Sequence, residues 1–277
     1  MYAIEINGLT KEYKDFKLDN ITLKLPSGCI MGLVGENGAG KSTTIKLILG
    51  MIKKQSGSVT VLGKDNSVMD KDDIGIVLDE VGIPDCLNAV QVGKIMKNIY
   101  KKWDSAVYEG YLNRLSVPAN KKFKDFSKGM KMKLGLAVAL SHDPKLLILD
   151  EATSGLDPVV RDDLLDIFAE FTRNEEHSIL ISSHIVSDLE KICDYIAFIN
   201  KGRLMLCEEK DALYEQFGVI HCSKDDFDHI PHDAVKGKKI TPYGVDAIVR
   251  RDAVPESIEV YPISIEELFV FMVKEER

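Results

Sequence analysis

The stretch from Gly35 to Ser42, Gly-Glu-Asn-Gly-Ala-Gly-Lys-Ser, satisfies every fixed position of the pattern G-x-x-x-x-G-K-[ST]. Each residue type has a chemical reason. Gly35, Gly38 and Gly40 let backbone N–H groups turn inward around phosphate oxygens, and a helix starting near Lys41 adds the positive end of its dipole. Lys41 is placed to reach terminal phosphates, and the Ser42 hydroxyl to coordinate Mg²⁺. Asn37, Ala39 and Thr43 complete the loop and its exit. A second constellation is the apolar run Leu146–Leu149 that ends in Asp150 and Glu151. Standing alone, it could be a core strand finishing in two solvated acids. Beside an intact phosphate loop, Asp150 reads as an outer contact of Mg²⁺, and Glu151 as the base that polarises water for attack on a terminal phosphate.

These groups must be held by strands and helices. Cys29–Val34 is an apolar strand feeding the loop, and Thr43–Met51 is helix-like. Ala3–Ile6, Ile21–Leu25, Gly57–Leu62 and Ile74–Leu78 also read as strands. Between about Asp85 and Leu115 the alternation disappears, and Val92, Ile95, Met96, Ile99 and Tyr100 recur at helical spacing. A helix is expected from Lys128, then a continuous apolar strand, Lys145–Asp150, of the kind buried on both faces in parallel sheets. Helix Val159–Thr172, strand Ser178–Ser182, helix Ile185–Cys193 and strand Tyr195–Asn200 come next. This alternation predicts an α/β fold with a mostly parallel sheet.

Beyond about Gly218 the texture changes. Pro231, Pro242, Pro255 and Pro262 crowd the tail, with strand candidates at Val245–Arg250 and Ser257–Tyr261. A closing helix starts with a Ser264/Glu267 capping box and carries Ile265, Leu268, Phe269, Met272 and Val273 along one stripe. The expectation is one domain over 1–218, with a helical subdomain at about 80–140, and a small α+β accessory domain over 219–277. The tail either extends a dimer contact or packs as passive structure.

With 277 residues, 45% hydrophobic and 29% charged, the chain is that of a globular protein with a substantial core. The net charge of −8 argues against a nucleic-acid partner. The amino terminus has no basic stretch followed by an apolar run, so no secretory signal is expected, and no apolar tract approaches the ~20 residues of a membrane span. Cys29, Cys86, Cys193, Cys207 and Cys222 are scattered, as expected for reduced thiols in a cytoplasm rather than disulfides or zinc ligands.

With the phosphate loop and the Asp150–Glu151 strand in place, the chain resembles the ATPase subunit of an ATP-binding cassette (ABC) transporter, from Tyr2 to about Gly218. Phe126 through Lys131 is similar to the family signature, in the S-K-G-M-K form frequent among bacterial ABC-2-type exporters. Ala152 through Pro158 is similar to the D-loop, and Ser182–His184 to the switch-histidine segment. The resemblance implies a P-loop NTPase cassette that uses ATP and Mg²⁺, with Tyr13 against adenine. It further implies that two ATPase subunits, in a homo- or heterodimer, close head to tail. Lys41, Ser42, Asp150, Glu151 and His184 of one would then face Ser127, Lys128 and Gly129 of the other. Closure would depend on the terminal phosphate, so that hydrolysis releases it.

The family's glutamine after the strand at Ile74–Leu78 is here Asp79, followed by Glu80. Asp79 is either a Mg²⁺ ligand or a solvated turn acid. Lys128 replaces the usual signature glycine, its cation near phosphate or in water. The resemblance implies transmembrane permease subunits as partners, gripped around Asp79–Tyr100, and a location on the cytoplasmic face of a bacterial cell membrane reached only through that permease. Subgroup likeness to the ATPases of lantibiotic, bacitracin and cytolytic-peptide exporters makes an amphipathic peptide, such as a phenol-soluble modulin, the expected cargo. The alternative is a soluble cassette ATPase of translation, repair or iron–sulfur assembly. The single cassette and short helical insertion argue against it. A third reading, a subunit that binds ATP without hydrolysing it, finds no support, since both Glu151 and His184 are present.

Overall fold

A computed structural model describes residues 1–255 and 257–275; the parts of the expected 219–277 domain at positions 256, 276 and 277 lie outside the described residues. The chain divides into two compact units, Met1–Leu206 and Cys207–Arg277.

The first unit opens with a long hairpin, β1 (Tyr2–Glu12) and β2 (Lys17–Pro26), followed by β3 (Ile30–Val34), α1 (Lys41–Ile48), β4 (Ser56–Val61), β5 (Lys64–Asp65) and β6 (Ile74–Val77). Three helices come next: α2 (Ala89–Ile99), α3 (Ser105–Arg114) and α4 (Lys128–Leu140). Then come β7 (Leu146–Asp150), α5 (Pro158–Phe171), β8 (Ser178–Ser183), α6 (Val186–Ile192), β9 (Tyr195–Asn200) and β10 (Arg203–Glu209), whose last three residues fall past the division at Leu206.

The strands form two sheets. The first has the order β2-β1-β4-β5, and its strand pairs are antiparallel. The second has the order β10-β9-β3-β8-β7-β6, with parallel pairing from β9 through to β6. The expected mostly parallel sheet is this second one. The early strand candidates instead build a separate antiparallel sheet, because a short turn between β1 and β2 lets them pair directly, whereas parallel neighbours need a crossover. Strands β3, β7 and β8 are buried at every residue. Their complete burial and mostly apolar sequences fit the interior of the sheet, where each fully buried Leu or Ile contributes about 1.5–3 kcal/mol.

Helices α2 to α4 make the expected insertion between β6 and β7. An Asn88/Gln91 capping box starts α2, and Asp104 caps α3 by accepting from Ala106 N and Val107 N. Tyr108 is buried and donates its hydroxyl proton to Ala89 O at 2.9 Å, tying α3 to α2; burial raises its pKa well above the ordinary tyrosine value. Of the apolar positions on α2, Val92 is buried, but Ile95 and Ile99 stand 41% and 59% exposed.

His142, in the turn between α4 and β7, is fully buried. Its ring stacks on Tyr100 with centroids 3.9 Å apart. Nδ1 lies 3.0 Å from Asp72 O and so carries the proton, while Nε2 is buried without a partner. Desolvation lowers its pKa, opposed by the Asp72 carbonyl.

The second unit continues with α7 (Lys210–Gln216), β11 (Phe217–Cys222), α8 (Lys224–Phe227), β12 (Val235–Thr241), β13 (Gly244–Arg250), β14 (Val260–Tyr261) and α9 (Ile265–Glu275). Its sheet has the order β12-β13-β11-β14. Ile220, Phe227, Ile230, Ala247 and Val249 form a core of its own. The division comes earlier than the change of texture near Gly218, because α7 packs with β11 and so belongs to the second unit. Arg251 donates to Tyr214 O and Phe217 O, closing α7 and β11 onto the end of β13.

Because the folded state lowers the pKa of His142, protons bind the unfolded chain more readily below about pH 6.5. The stabilising contribution is present above that pH and fades as pH falls. The thermal midpoint should therefore drop between pH 7.5 and 5.5 more steeply in the wild type than in His142→Asn. Parallel pH profiles of the two would refute this assignment.

Candidate functional site

The site is built where β3, β7 and β8 end side by side. After Val34 the chain turns into the phosphate loop. A Cβ added to Gly35 would stand 2.5 Å from Ile199 O, so the loop passes too close to β9 for any side chain. Gly38 faces open space but holds φ +83°, a left-handed conformation that glycine adopts without Cβ strain. The loop ends at Gly40, the cap of α1, and Thr44 Oγ1 donates back to Gly40 O at 2.9 Å.

Lys41, the first residue of α1, is only 5% exposed. Its Nζ donates to Gly35 O at 2.7 Å and Glu36 O at 3.3 Å. The same ammonium stands 3.1 Å from Glu151 Oε1, an ion pair whose angle does not make a hydrogen bond.

Glu151 arrives from the end of β7. Register pairs Asp150 with Ser182 on β8. Ser182 Oγ donates to Asp150 Oδ1 at 2.5 Å and accepts from Glu151 N at 3.1 Å, so one hydroxyl orients both acids. Glu151 adopts φ +53°, a left-handed turn that redirects the chain out of the sheet. Its Oε2 lies 2.7 Å from His184 Nδ1. The Glu151 carboxylate thus spans the Lys41 ammonium on one side and the His184 imidazole on the other.

These groups face a cavity of about 580 Å³, lined by Asp15, Phe16, Asp79, Glu151 and the loop from Glu36 to Thr43, apart from Ala39. Ala39 turns inward and is buried. Of the residues expected from sequence, Lys41, Ser42, Thr43, Asn37, Gly38, Gly40, Asp79 and Glu151 come together here, with Asp150 buried just behind. Tyr13 is not on the lining. Its ring sits 6.5 Å from that of Phe16, with Lys11 Nζ 5.3 Å above it. Phe16, which sequence reasoning passed over, supplies the aromatic wall and approaches Gly40 closely; Asp15, passed over likewise, adds an acid to the lining. Only the hairpin turn after β1 decides which of the nearby rings faces inward. Ser182 belonged to a recognised segment, but its hold on both acids depends on β7–β8 register.

Ser127, Lys128 and Gly129 lie off this cavity. Ser127 is exposed and caps α4, accepting from Met130 N at 3.3 Å. Lys128 Nζ pairs with Asp79 Oδ1 at 2.7 Å. Asp157 caps α5 through Val160 N.

The family model described as ABC transporter matches residues 18–154. The lantibiotic transport ATP-binding protein SrtF of Streptococcus pyogenes is 38% identical over 212 residues, spanning 76% of this chain and 92% of the relative. The bacitracin transport ATP-binding protein BcrA of Bacillus licheniformis is 36% identical over 211 residues, spanning 73% and 68%. Among solved structures, an ATP-binding subunit of an ABC transporter superposes with TM-score 0.67 at 26% identity, covering 76% of this chain and 91% of that one. A dimeric ATP-binding cassette with ADP and phosphate bound reaches the same TM-score at 20% identity, covering 74% and 98%; it shares the fold.

Gly35→Ala should lower the thermal midpoint more than Gly38→Ala. The first forces a methyl into a carbonyl, costing about 1–3 kcal/mol; the second meets left-handed strain alone, about 1–2 kcal/mol. Equal shifts in the two melting curves would mean that the loop relaxes away from β9.

Proposed function

The chain belongs to the ATP-binding subunits of ABC transporters, which bind and hydrolyse ATP, and we propose that it powers export of a peptide through a separate membrane permease. The observation that carries the catalytic reading is the Glu151 carboxylate held between Lys41 at 3.1 Å and His184 at 2.7 Å, at the mouth of the phosphate loop.

In this reading the loop N–H groups from Gly38 to Thr43 cradle the β- and γ-phosphates, and Phe16, rather than Tyr13, forms the aromatic side toward the base. Lys41 exchanges its loop carbonyls for phosphate oxygens, a stronger charge-assisted contact. Glu151 then accepts a proton from the attacking water. His184 keeps that carboxylate aimed, and Ser182 holds the turn from which it projects. The residues fit a Mg²⁺ that arrives with its nucleotide. The Ser42 hydroxyl lines the cavity with Asp150 buried just behind, while Asp79 is turned to Lys128, and among the described residues no three acids or histidines gather to hold a metal by themselves. Bound there, the ion would offset charge on the β- and γ-phosphate oxygens.

Two such subunits are proposed to close head to tail. Ser127 and Gly129, at the exposed start of α4, would present a hydroxyl and backbone N–H groups to the partner's terminal phosphate. The relatives named for lantibiotic and bacitracin transport support a peptide cargo. Exposed Ile95 and Ile99 on α2, within the Asp79–Tyr100 segment, support that face as the grip on the permease. Among the described residues no helix is long and apolar enough to cross a membrane. We place the chain peripherally on the cytoplasmic face, through that permease, and read the second unit as an accessory to the cassette.

Glu151→Gln should lower steady-state ATP hydrolysis by at least ~100-fold while nucleotide still binds, since the amide keeps the side chain's shape but takes up no proton from water. The variant should also accumulate as a dimer in ATP and not in ADP. Full turnover in Glu151→Gln, measured with the permease present, would sink the assignment of the base. Phe16→Ala should weaken ATP binding about tenfold, the loss of one stacking contact, and more than Tyr13→Ala does; the reverse order would return the adenine contact to Tyr13.

A further inference from the structure

The phosphate cavity has a charge problem. Its lining side chains include four acids, Asp15, Glu36, Asp79 and Glu151, against a single cation, Lys41. A polyanion entering such a wall meets net repulsion unless some of those carboxylates are neutralised. Glu151 has Lys41 and His184 beside it. Asp79 has a neighbour from outside the cavity, the Lys128 ammonium at 2.7 Å.

Asp79 also stands between two cavities. It lines the phosphate cavity on one side and, on the other, a groove of about 470 Å³ bounded by Val81, Phe126, Lys128 and Lys131. Lys128 reaches it from the first turn of α4. Its stem passes Gly155, where an added Cβ would lie 3.7 Å from Lys128 Cδ; Gly155 itself holds φ +70°. The α4 start and the strand-end acid after β6 are therefore joined by a charge pair.

We propose that Lys128 is a positioning residue acting within its own chain: it holds and neutralises Asp79, and so sets the affinity of the cavity for nucleotide. This rests on the ATPase reading and adds to it, since Lys128 is assigned to the acid of its own subunit and not to the phosphate of the partner's nucleotide. Both side chains are about half exposed, so the effect is moderate and salt-sensitive.

The test is equilibrium binding of Mg-ATP to the full-length chain by calorimetry, which needs neither permease nor turnover. Lys128→Met should raise Kd about fivefold at low ionic strength and less than twofold in 0.5 M salt, as screening removes the exposed carboxylate's repulsion. The double variant Asp79→Asn/Lys128→Met should return to within about twofold of wild type, and Lys128→Arg should bind as wild type does. A loss of packing alone would respond neither to salt nor to Asp79→Asn. Unchanged binding in Lys128→Met, or a weakened double variant, would overturn the inference while wild-type binding keeps the ATPase reading standing. A wild-type chain that binds no ATP would overturn both.

Discussion

A lysine ammonium that is 5% exposed must be surrounded by oxygen, because burying an unpaired charge costs several kcal/mol. Lys41 meets that demand with two carbonyls of its own loop and one carboxylate delivered from 110 residues further along the chain (151 − 41). The loop must therefore curl back over its own helix start, and β7 must end close to β3. Strand order β9-β3-β8-β7 meets both conditions, placing one strand, β8, between the loop and the acid. That intervening strand is not idle. Ser182 locks Asp150 and Glu151, and two residues later His184 faces Glu151 from the other side. The buried cation and the register of three parallel strands are one constraint seen at two scales.

Local spacing made the chemistry legible. Gly35, Gly40, Lys41 and Ser42 are adjacent in sequence, and an apolar run ending in two acids announces a central parallel strand wherever it stands. Helical spacing on α2 and the capping box before α9 were readable for the same reason: hydrophobic period and end-capping are properties of a dozen residues. What escaped depends on contacts between distant segments. The antiparallel pairing of β1 with β2 comes from a short turn and that of β1 with β4 reaches across more than forty residues, while the alternation of strand and helix suggests only parallel order. Phe16 facing the cavity in place of Tyr13 turns on the path of that hairpin's loop. The binding of α7 into the second unit rests on Arg251 reaching two carbonyls more than thirty residues earlier.

Asp79 and Lys128 illustrate a further limit. Each is a visible departure from the pattern its neighbours keep, and sequence alone leaves both open between ligand and solvent. Neither can be understood singly, because the geometry pairs them. Two substitutions at positions 49 residues apart (128 − 79) turn out to be one charge-neutral unit, and the pairing is invisible until β6 and α4 are packed together.

Strand order also carries a consequence for how the protein is made. Both sheet neighbours of β3, namely β8 and β9, lie more than 140 residues downstream of it. During synthesis at roughly 5–20 residues per second, Ile30–Val34 leaves the ribosome on the order of ten seconds before either neighbour exists. For that interval a fully apolar strand has no edge to pair with, and the loop behind it has no wall to lean on. The nascent chain is thus incapable of holding nucleotide through most of its elongation, and is most in need of a chaperone while the segment that defines its chemistry is already complete.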